Sequence, residues 1–156
     1  MDIRFANQND IPGMIELLKQ VGEVHHQIRP DLFRAGAQKY DEAALLRLLA
    51  DGMRPIFIAE EEGAVAGYCF CILQITENDP VLCDRRVVYI DDLCVDETVR
   101  GKGVAKALYE AVLDYAKEKR FDAVTLNVWC GNDRAMHFYE KSGMKPQKVG
   151  MEITLC

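Results

Sequence analysis

The sequence lacks any run of about 20 apolar residues and any basic, apolar leader after Met1. It also lacks an excess of positive charge, since 19 Lys and Arg residues stand against 25 Asp and Glu residues. The phosphates of nucleic acid require a basic surface, so the net charge of −6 argues against a nucleic-acid partner. These absences predict a soluble, cytoplasmic protein with no membrane partner, and the acidity favours a cationic partner.

Closely spaced cysteine pairs of the metal-binding kind are also missing. None of the six cysteines has a second cysteine at the two-residue gap that is typical of zinc knuckles. Most of them stand in apolar, strand-like contexts such as "GYCFCILQI". We therefore expect no metal site and no disulfide framework, but free thiols in a reducing compartment.

What the chain does contain is a mixture of helical and strand patterns over a length that suits one domain, residues 1–156. Two helices are predicted after the capping residues Asp10 and Asp41, with an irregular segment between them. Another helix is predicted to end near Lys119, and a last one to begin after Asn132. Strands are predicted in "DIRFA", a hairpin "RPIFIAEEEGAVAGYCFCILQI", "RRVVYIDDLCV", "FDAVTLNVW" and "MKPQKVGMEITL". This order is typical of a mixed α and β fold.

The stretch "DETVRGKGVAKALYEAV" places two glycines at a strand-to-helix junction. Glycines allow a sharp turn and a close approach to a ligand, and the first N–H groups of a helix are unpaired and carry partial positive charge. Arg100 and Lys102 add positive charge, so the junction predicts an anion site. The alternative is a plain helix start with solvated basic residues. The spacing does not fit a P-loop, because Gly103 follows Lys102 where a P-loop has Ser or Thr. It does not fit a G-x-G-x-x-G dinucleotide turn either, because Lys106 occupies the third glycine position.

This stretch resembles the acyl-CoA pyrophosphate loop of the GNAT superfamily of N-acetyltransferases, an R-x-x-G-x-A pattern directly after a strand that ends "DDLCV". The resemblance implies that the loop's backbone N–H groups hold the pyrophosphate and that the preceding strand lends its main chain to the pantetheine arm. The residues so assigned are Arg100, Gly101, Lys102, Gly103, Val104 and Ala105 for the phosphates, and Leu93, Cys94 and Val95 for the arm.

A second motif, "NVWCGNDRAMHFYEKSGM", resembles the family segment in which an asparagine opens a helix and a tyrosine follows seven residues later. Seven residues make two turns, so Asn132 and Tyr139 share a face roughly 10 Å apart along the axis, with Ala135 between them. The two motifs together imply a central, mostly antiparallel sheet with flanking helices. They also imply an enzyme that transfers the acetyl group of acetyl-CoA directly to a primary amine.

Acetyl transfer to an amine requires a base to remove a proton and benefits from an acid at the leaving thiolate. The family position implies Tyr139 as the acid. Asp91 lies where many family members carry a strand carboxylate, and we expect it to be the base. Neighbouring residues of a regular strand face opposite sides of a sheet, so Asp92 is expected to bind a cationic acceptor or to cap a loop instead. If neither aspartate is the base, Glu60 or a held water is the next candidate.

His25 and Arg29 lie in the irregular segment that shapes the acceptor pocket in many family members, so they are candidates for binding the acceptor. The acceptor can be a small molecule or a protein, and the oligomeric state is open, with a homodimer among the options. Two other functions are weighed against catalysis. One is an acyl-CoA-binding sensor that regulates a partner, and the other is a nucleotide-binding protein.

Overall fold

A five-stranded sheet forms the centre of the protein, whose computed structural model describes residues 1–156. The strands lie in chain order and pair antiparallel, except that β4 and β5 are parallel. They are β1 (Asp2–Phe5), β2 (Ile56–Glu61), β3 (Ala64–Thr76), β4 (Arg85–Val95) and β5 (Ala123–Leu126). The helices are α1 (Ile11–Ile28), α2 (Glu42–Leu49), α3 (Val104–Glu118) and α4 (Asp133–Lys141). The mixed, mostly antiparallel sheet with flanking helices is confirmed.

The two faces of the sheet bury separate clusters of apolar side chains. On one face, α3 packs through Leu108 and Val112 against the alternate strand residues Cys69 and Ile90. On the other face, α1 and α2 cover Tyr68 and the rest of a second cluster, which includes Met14, Leu45, Ile58 and Phe70. The period of two along β2 and β3 produces this division, because successive strand side chains point to opposite faces. None of the helices combines the length and the apolar character that crossing a bilayer would need.

Two of the three predicted N-caps make the expected hydrogen bond, whereas Asp10 precedes α1 without a side-chain cap bond and instead pairs with Arg4. Asp41 and Asn132 accept hydrogen bonds from the backbone N–H groups of Ala44 and Ala135, as N-caps should. Helix α1 runs to Ile28, so the prediction of an irregular segment was wrong for its first part. His25 therefore lies in the last turn of a helix rather than in a loop.

Strand β4 contains a bulge that changes which way its side chains point. Phe70 of β3 pairs with Asp92, but the next residue, Cys71, pairs with Ile90, so Asp91 has no partner in the ladder. An extra residue of this kind bends the strand and breaks the alternation of its side chains. The expectation that Asp91 and Asp92 face opposite sides assumed a regular strand, and this assumption was wrong.

The C-terminal strands predicted in "MKPQKVGMEITL" are absent from the single chain. Residues 145–156 are exposed, form no helix or strand and make no backbone hydrogen bond. A strand requires a neighbouring edge with which to exchange hydrogen bonds, and within one chain this tail lies against none.

Candidate active site

The loop before α3 presents a row of free backbone donors. None of the backbone N–H groups of residues 100–106 has an acceptor in the chain. Gly101 and Gly103 have φ angles of 83° and 81°, a left-handed conformation that favours glycine. A Cβ at either position would meet no atom within 4 Å, so the space in front of the loop is open. Free N–H groups, the positive end of a 15-residue helix and open space together form a seat for an anion.

Strand β4 offers an unpaired edge beside this loop. Its pairing with β5 stops at Ile90 opposite Leu126, whereas its pairing with β3 continues to Val95. Residues 91–95 therefore have one main-chain edge without a strand neighbour. The Cys94 thiol is buried on the α1 side, 3.5 Å from the carbonyl oxygen of Leu17. Burial raises the pKa of this thiol to about 12, so it is no nucleophile, and only the main chain at Cys94 remains available.

A cavity of about 560 Å³ opens where β4 and β5 diverge. It is lined from α1, from the segment that follows it, from both strands and from α4. It collects several residues that the sequence assigned to the site. These are Leu93, Asp91, Asp92, His25, Asn132, Ala135 and Tyr139. Arg29 is not among the lining residues, because its guanidinium is held outside the cavity by Asp31 and Glu152.

Both aspartates of β4 point to the α1 and α2 side of the sheet. The Asp91 carboxylate accepts a hydrogen bond of 2.8 Å from Lys39 Nζ and lies 3.4 Å from the Tyr40 hydroxyl. The Asp92 carboxylate accepts a hydrogen bond of 2.7 Å from the hydroxyl of Tyr68, a fully buried member of that side's core. The bulge brings the two carboxylates into one cavity, where only Asp91 has a salt-bridge partner.

The charge state of Asp92 is set by its burial. Burial raises the pKa of Asp92 to about 6, although the Tyr68 hydrogen bond and the Lys39 charge each lower it in part. A carboxyl group with this pKa is mostly ionised at neutral pH and still accepts a proton readily. Asp92 therefore has the electrostatic character of a general base.

Tyr139 lines the same cavity. Burial is the largest cause that raises the pKa of Tyr139, and the Cys69 thiol and the Asp92 charge add to it. The phenol is therefore protonated at every pH in the working range of the protein. Its ring packs 6.1 Å from that of Tyr109. The hydroxyl makes no hydrogen bond within the chain, and because no buried polar side-chain atom lacks a partner, it is accessible to solvent as a proton donor.

Aromatic rings that pack on one another line part of the cavity. The Phe33 ring lies 5.0 Å from the His25 ring and 5.4 Å from the Trp129 ring. Burial lowers the pKa of His25, and the Lys39 charge lowers it further, so the imidazole is neutral at neutral pH. Tyr89 also lines the cavity. His25 contributes an apolar, stackable surface here rather than a charge.

Two residues that shape the aspartates were missed from the sequence. Tyr68 had a usable signal, because a tyrosine inside the buried run "GYCFCILQI" needs a partner for its hydroxyl. Lys39 had none, because it stands in a segment without periodicity and its pairing with Asp91 depends on the folded chain.

Most of the chain matches the model of a known protein family. Residues 21–144 match the family model described as the acetyltransferase (GNAT) family, which is most of the chain. The chain belongs to this family. The predicted membership is thereby confirmed, and with it an acetyl-CoA-dependent acetyltransferase, since members of this family use acetyl-CoA.

Individual proteins resemble the chain to different extents. The uncharacterised N-acetyltransferase YhfO of Bacillus subtilis is 30% identical over 143 residues, covering 92% of this chain and 89% of that protein. The crystal structure of a mutant BH1408 protein from Bacillus halodurans is 34% identical, with a TM-score of 0.95 over 100% of both chains. An uncharacterised N-acetyltransferase of Methanocaldococcus jannaschii is longer, and this chain spans only 40% of it at 30% identity.

Proposed function

We propose that the protein is an N-acetyltransferase that moves the acetyl group of acetyl-CoA directly to a primary amine of a small molecule or protein. One juxtaposition carries the proposal. The cavity at the divergence of β4 and β5 contains both a carboxylate with the pKa of a base, Asp92, and a free phenol, Tyr139. It lies beside a main-chain edge and an anion seat of the kind that an acyl-CoA requires.

The cofactor side rests on main-chain groups. The free N–H groups of residues 100–106 are the donors for the pyrophosphate, and Arg100 and Lys102 add charge near it. The open edge at Leu93, Cys94 and Val95 supplies donors and acceptors to the pantetheine arm. Asn132 has its side-chain oxygen occupied as the cap of α4, so it positions the helix that carries Tyr139.

Asp92, rather than Asp91, is the base in this proposal. The amine arrives as an ammonium ion, and Asp92 takes one proton from it, directly or through one water. The nitrogen lone pair is then free to form the new N–C bond. Asp91 is a weaker candidate because its carboxylate is already engaged by Lys39, whereas Asp92 has only a neutral hydroxyl as partner.

Tyr139 completes the proton balance. As the N–C bond forms, the C–S bond breaks and the electron pair leaves with the sulfur. The Tyr139 hydroxyl donates its proton to that sulfur, and the phenolate takes the second proton of the acceptor nitrogen as the amide forms, while Asp92 releases its proton to solvent. The products are an amide and a free thiol. No covalent enzyme intermediate is required, in keeping with the buried and protonated Cys94.

The proposal also includes a cytoplasmic location without nucleic-acid partners. All six cysteines are free thiols, and three of them, Cys83, Cys130 and Cys156, are exposed. Exposed free thiols suit a reducing compartment. The acidic charge of −6 disfavours binding to a polyanion.

One pair of measurements tests the function. CoA should raise the thermal transition of the protein, whereas a dinucleotide such as NAD should not. Acetyl-CoA with a panel of polyamines, amino acids, aminoglycosides and lysine peptides should release free thiol with at least one acceptor. Stabilisation by CoA without thiol release from any amine would favour the acyl-CoA sensor, and stabilisation by NAD alone would favour the nucleotide-binding protein.

A further inference from the structure

One primary amine of the chain lies inside its own cavity. Lys39 is the only lysine or arginine among the residues that line the space between β4 and β5. Its Nζ donates a hydrogen bond of 2.8 Å to the Asp91 carboxylate, and its side chain is still 48% exposed. An accessible alkyl ammonium group beside the two aspartates is the kind of group that the proposed function requires of an acceptor. The chain therefore carries an amine of the acceptor class within the candidate site.

The segment that carries Lys39 is packed against α1 and the sheet. A Cβ on Gly22 of α1 would lie 2.5 Å from the carbonyl oxygen of Ala37, so only glycine permits this close approach of the segment to the helix. On the other side of Lys39, the Tyr40 ring lies 5.7 Å from the ring of Phe70, a member of the cluster beneath α1 and α2. Contacts on both sides of Lys39 thus hold its main chain beside the cavity.

Asp91 links the Lys39 amine to the strand edge assigned to the cofactor. It is the first residue of the 91–95 edge of β4, which has no strand neighbour and to which the proposed function assigns the pantetheine arm. Burial raises the pKa of Asp92, and the Lys39 charge opposes this rise, so the amine and the proposed base lie within electrostatic reach of each other. Tyr139, the proposed acid, lines the same cavity. The amine, the base, the acid and the cofactor edge therefore share one site.

We propose that the protein acetylates its own Lys39 from acetyl-CoA. The inference rests on the proposed function, because the same carboxylate, phenol and strand edge perform the step. Lys39 gives one proton to Asp92, directly or through one water, and its nitrogen forms the new N–C bond with the acetyl carbon. The C–S bond breaks, the electron pair leaves with the sulfur, and Tyr139 protonates the sulfur and takes the second proton of the nitrogen. The products are an acetylated Lys39, CoA and one proton, which Asp92 releases to solvent.

Acetylation of Lys39 changes the charge of the cavity. The acetylated side chain is neutral, so it loses its ion pair with Asp91. Asp91 and Asp92 then line the cavity without a lysine or arginine beside them. The step occurs once in each chain, and it removes the group that competes with a cationic acceptor for Asp91.

The test incubates the full wild-type chain with acetyl-CoA and no added amine, and it follows the acetylation of each lysine by peptide mass spectrometry. Lys19 is the matched control within the same molecule, because it is 54% exposed and paired with the Glu16 carboxylate but lies outside the cavity. Lys39 should be acetylated about 100-fold faster than Lys19, since only Lys39 lies in a site with a base and an acid. Rates of the same order mean that acetyl-CoA modifies surface amines without the site, and they overturn the proposal.

Two further arms of the same experiment examine where the reaction takes place. An excess of desulfo-CoA, which competes for the cofactor site but carries no acetyl group, should suppress the acetylation of Lys39 and leave that of Lys19 unchanged. Dilution of the protein at constant acetyl-CoA should leave the rate per chain unchanged, because the amine and the site belong to one molecule. A Lys39 rate that ignores desulfo-CoA, or one that falls in proportion to the protein concentration, contradicts the proposal.

Failure of this inference can be told apart from failure of the proposed function. If Lys39 stays unmodified while an amine of the panel releases thiol from acetyl-CoA, self-acetylation is wrong and the proposed function stands. If Lys39 stays unmodified and no amine of the panel releases thiol, both are wrong.

Discussion

The loop before α3 and the cluster of side chains around Asp92 differ in exposure and in the kind of group that each offers to a ligand. The loop is exposed and offers backbone N–H groups whose direction is set by two left-handed glycines. The cluster is buried and offers side chains whose protonation depends on Tyr68, Lys39 and the exclusion of water. The loop's properties follow from neighbouring residues in the chain, whereas those of the cluster exist only after distant segments have packed together.

This difference teaches where substitutions should act. Changes in the loop should alter the affinity for acetyl-CoA and leave the chemical step alone. Changes in the cluster should alter the chemical step or its pH dependence and leave the affinity for acetyl-CoA alone. A variant that changed both the affinity for acetyl-CoA and the chemical step would show that the two regions are not independent.

The largest effect is expected from Asp92→Asn, which removes the base with little change of shape. Turnover should fall by about 10³-fold, within the usual contribution of general acid–base catalysis. The matched control is Asp91→Asn, for which we expect less than about a tenfold loss, because Asp91 is paired with Lys39. Steady-state thiol release at neutral pH measures both. Equal losses in the two variants would remove the distinction between them.

The second largest loss of turnover is expected from Tyr139→Phe, which removes only a hydroxyl. Turnover should fall by about 10²-fold because the thiolate loses its proton donor, while the affinity for CoA stays unchanged. Tyr109→Phe makes the same chemical change in a ring 6.1 Å away and should retain full turnover. If Tyr139→Phe turns over like the wild type, water protonates the sulfur and Tyr139 has no role as the acid.

A smaller effect is expected in the loop. Gly103→Pro removes one backbone donor and imposes a negative φ where the structure has 81°, so the Kd for CoA should rise about 10- to 100-fold. Gly103→Ala strains the same φ but keeps the N–H, and should weaken binding less. Calorimetric titration gives both constants, and the thermal transition checks folding. An unchanged Kd in folded Gly103→Pro would exclude this residue from the phosphate site.

The smallest effect is expected from Lys39→Met, which leaves Asp91 unpaired. The pair is partly exposed, and such pairs contribute at most about 1 kcal/mol, so the KM for the amine should change by no more than about fivefold. Because the Lys39 charge also lowers the pKa of Asp92, its loss should move the acidic limb of the pH profile to a higher pH. A shift to a lower pH would contradict the electrostatic assignment.

The sequence predicted the loop before α3 and helix α4 better than it predicted the cluster around Asp92. The glycines at 101 and 103, the cap at Asn132 and the position of Tyr139 depend on local spacing, and the structure places them as expected in the loop and in α4. The geometry of Asp91 and Asp92 was predicted wrongly, because a bulge is a property of two paired strands and no feature of "RRVVYIDDLCV" alone reveals it. Arg29 was assigned to the acceptor, but its guanidinium is bound by Asp31 and Glu152.

The C-terminal tail, residues 145–156, is a second place where the sequence prediction was wrong. The alternation in "MKPQKVGMEITL" predicted a strand, and the single chain has none. Strand propensity describes what a segment can pair with, but it does not say in which molecule the partner edge lies.

The most direct test of the account is the pH dependence of kcat/KM for wild type, Asp91→Asn and Asp92→Asn with the best amine from the panel. The base must be ionised to act, and burial raises the pKa of Asp92 to about 6. Activity should therefore decline as the pH falls through about 6 in the wild type and in Asp91→Asn, and this limb should be absent from the residual activity of Asp92→Asn. A limb that persists in Asp92→Asn and disappears in Asp91→Asn would show that the base is the other aspartate.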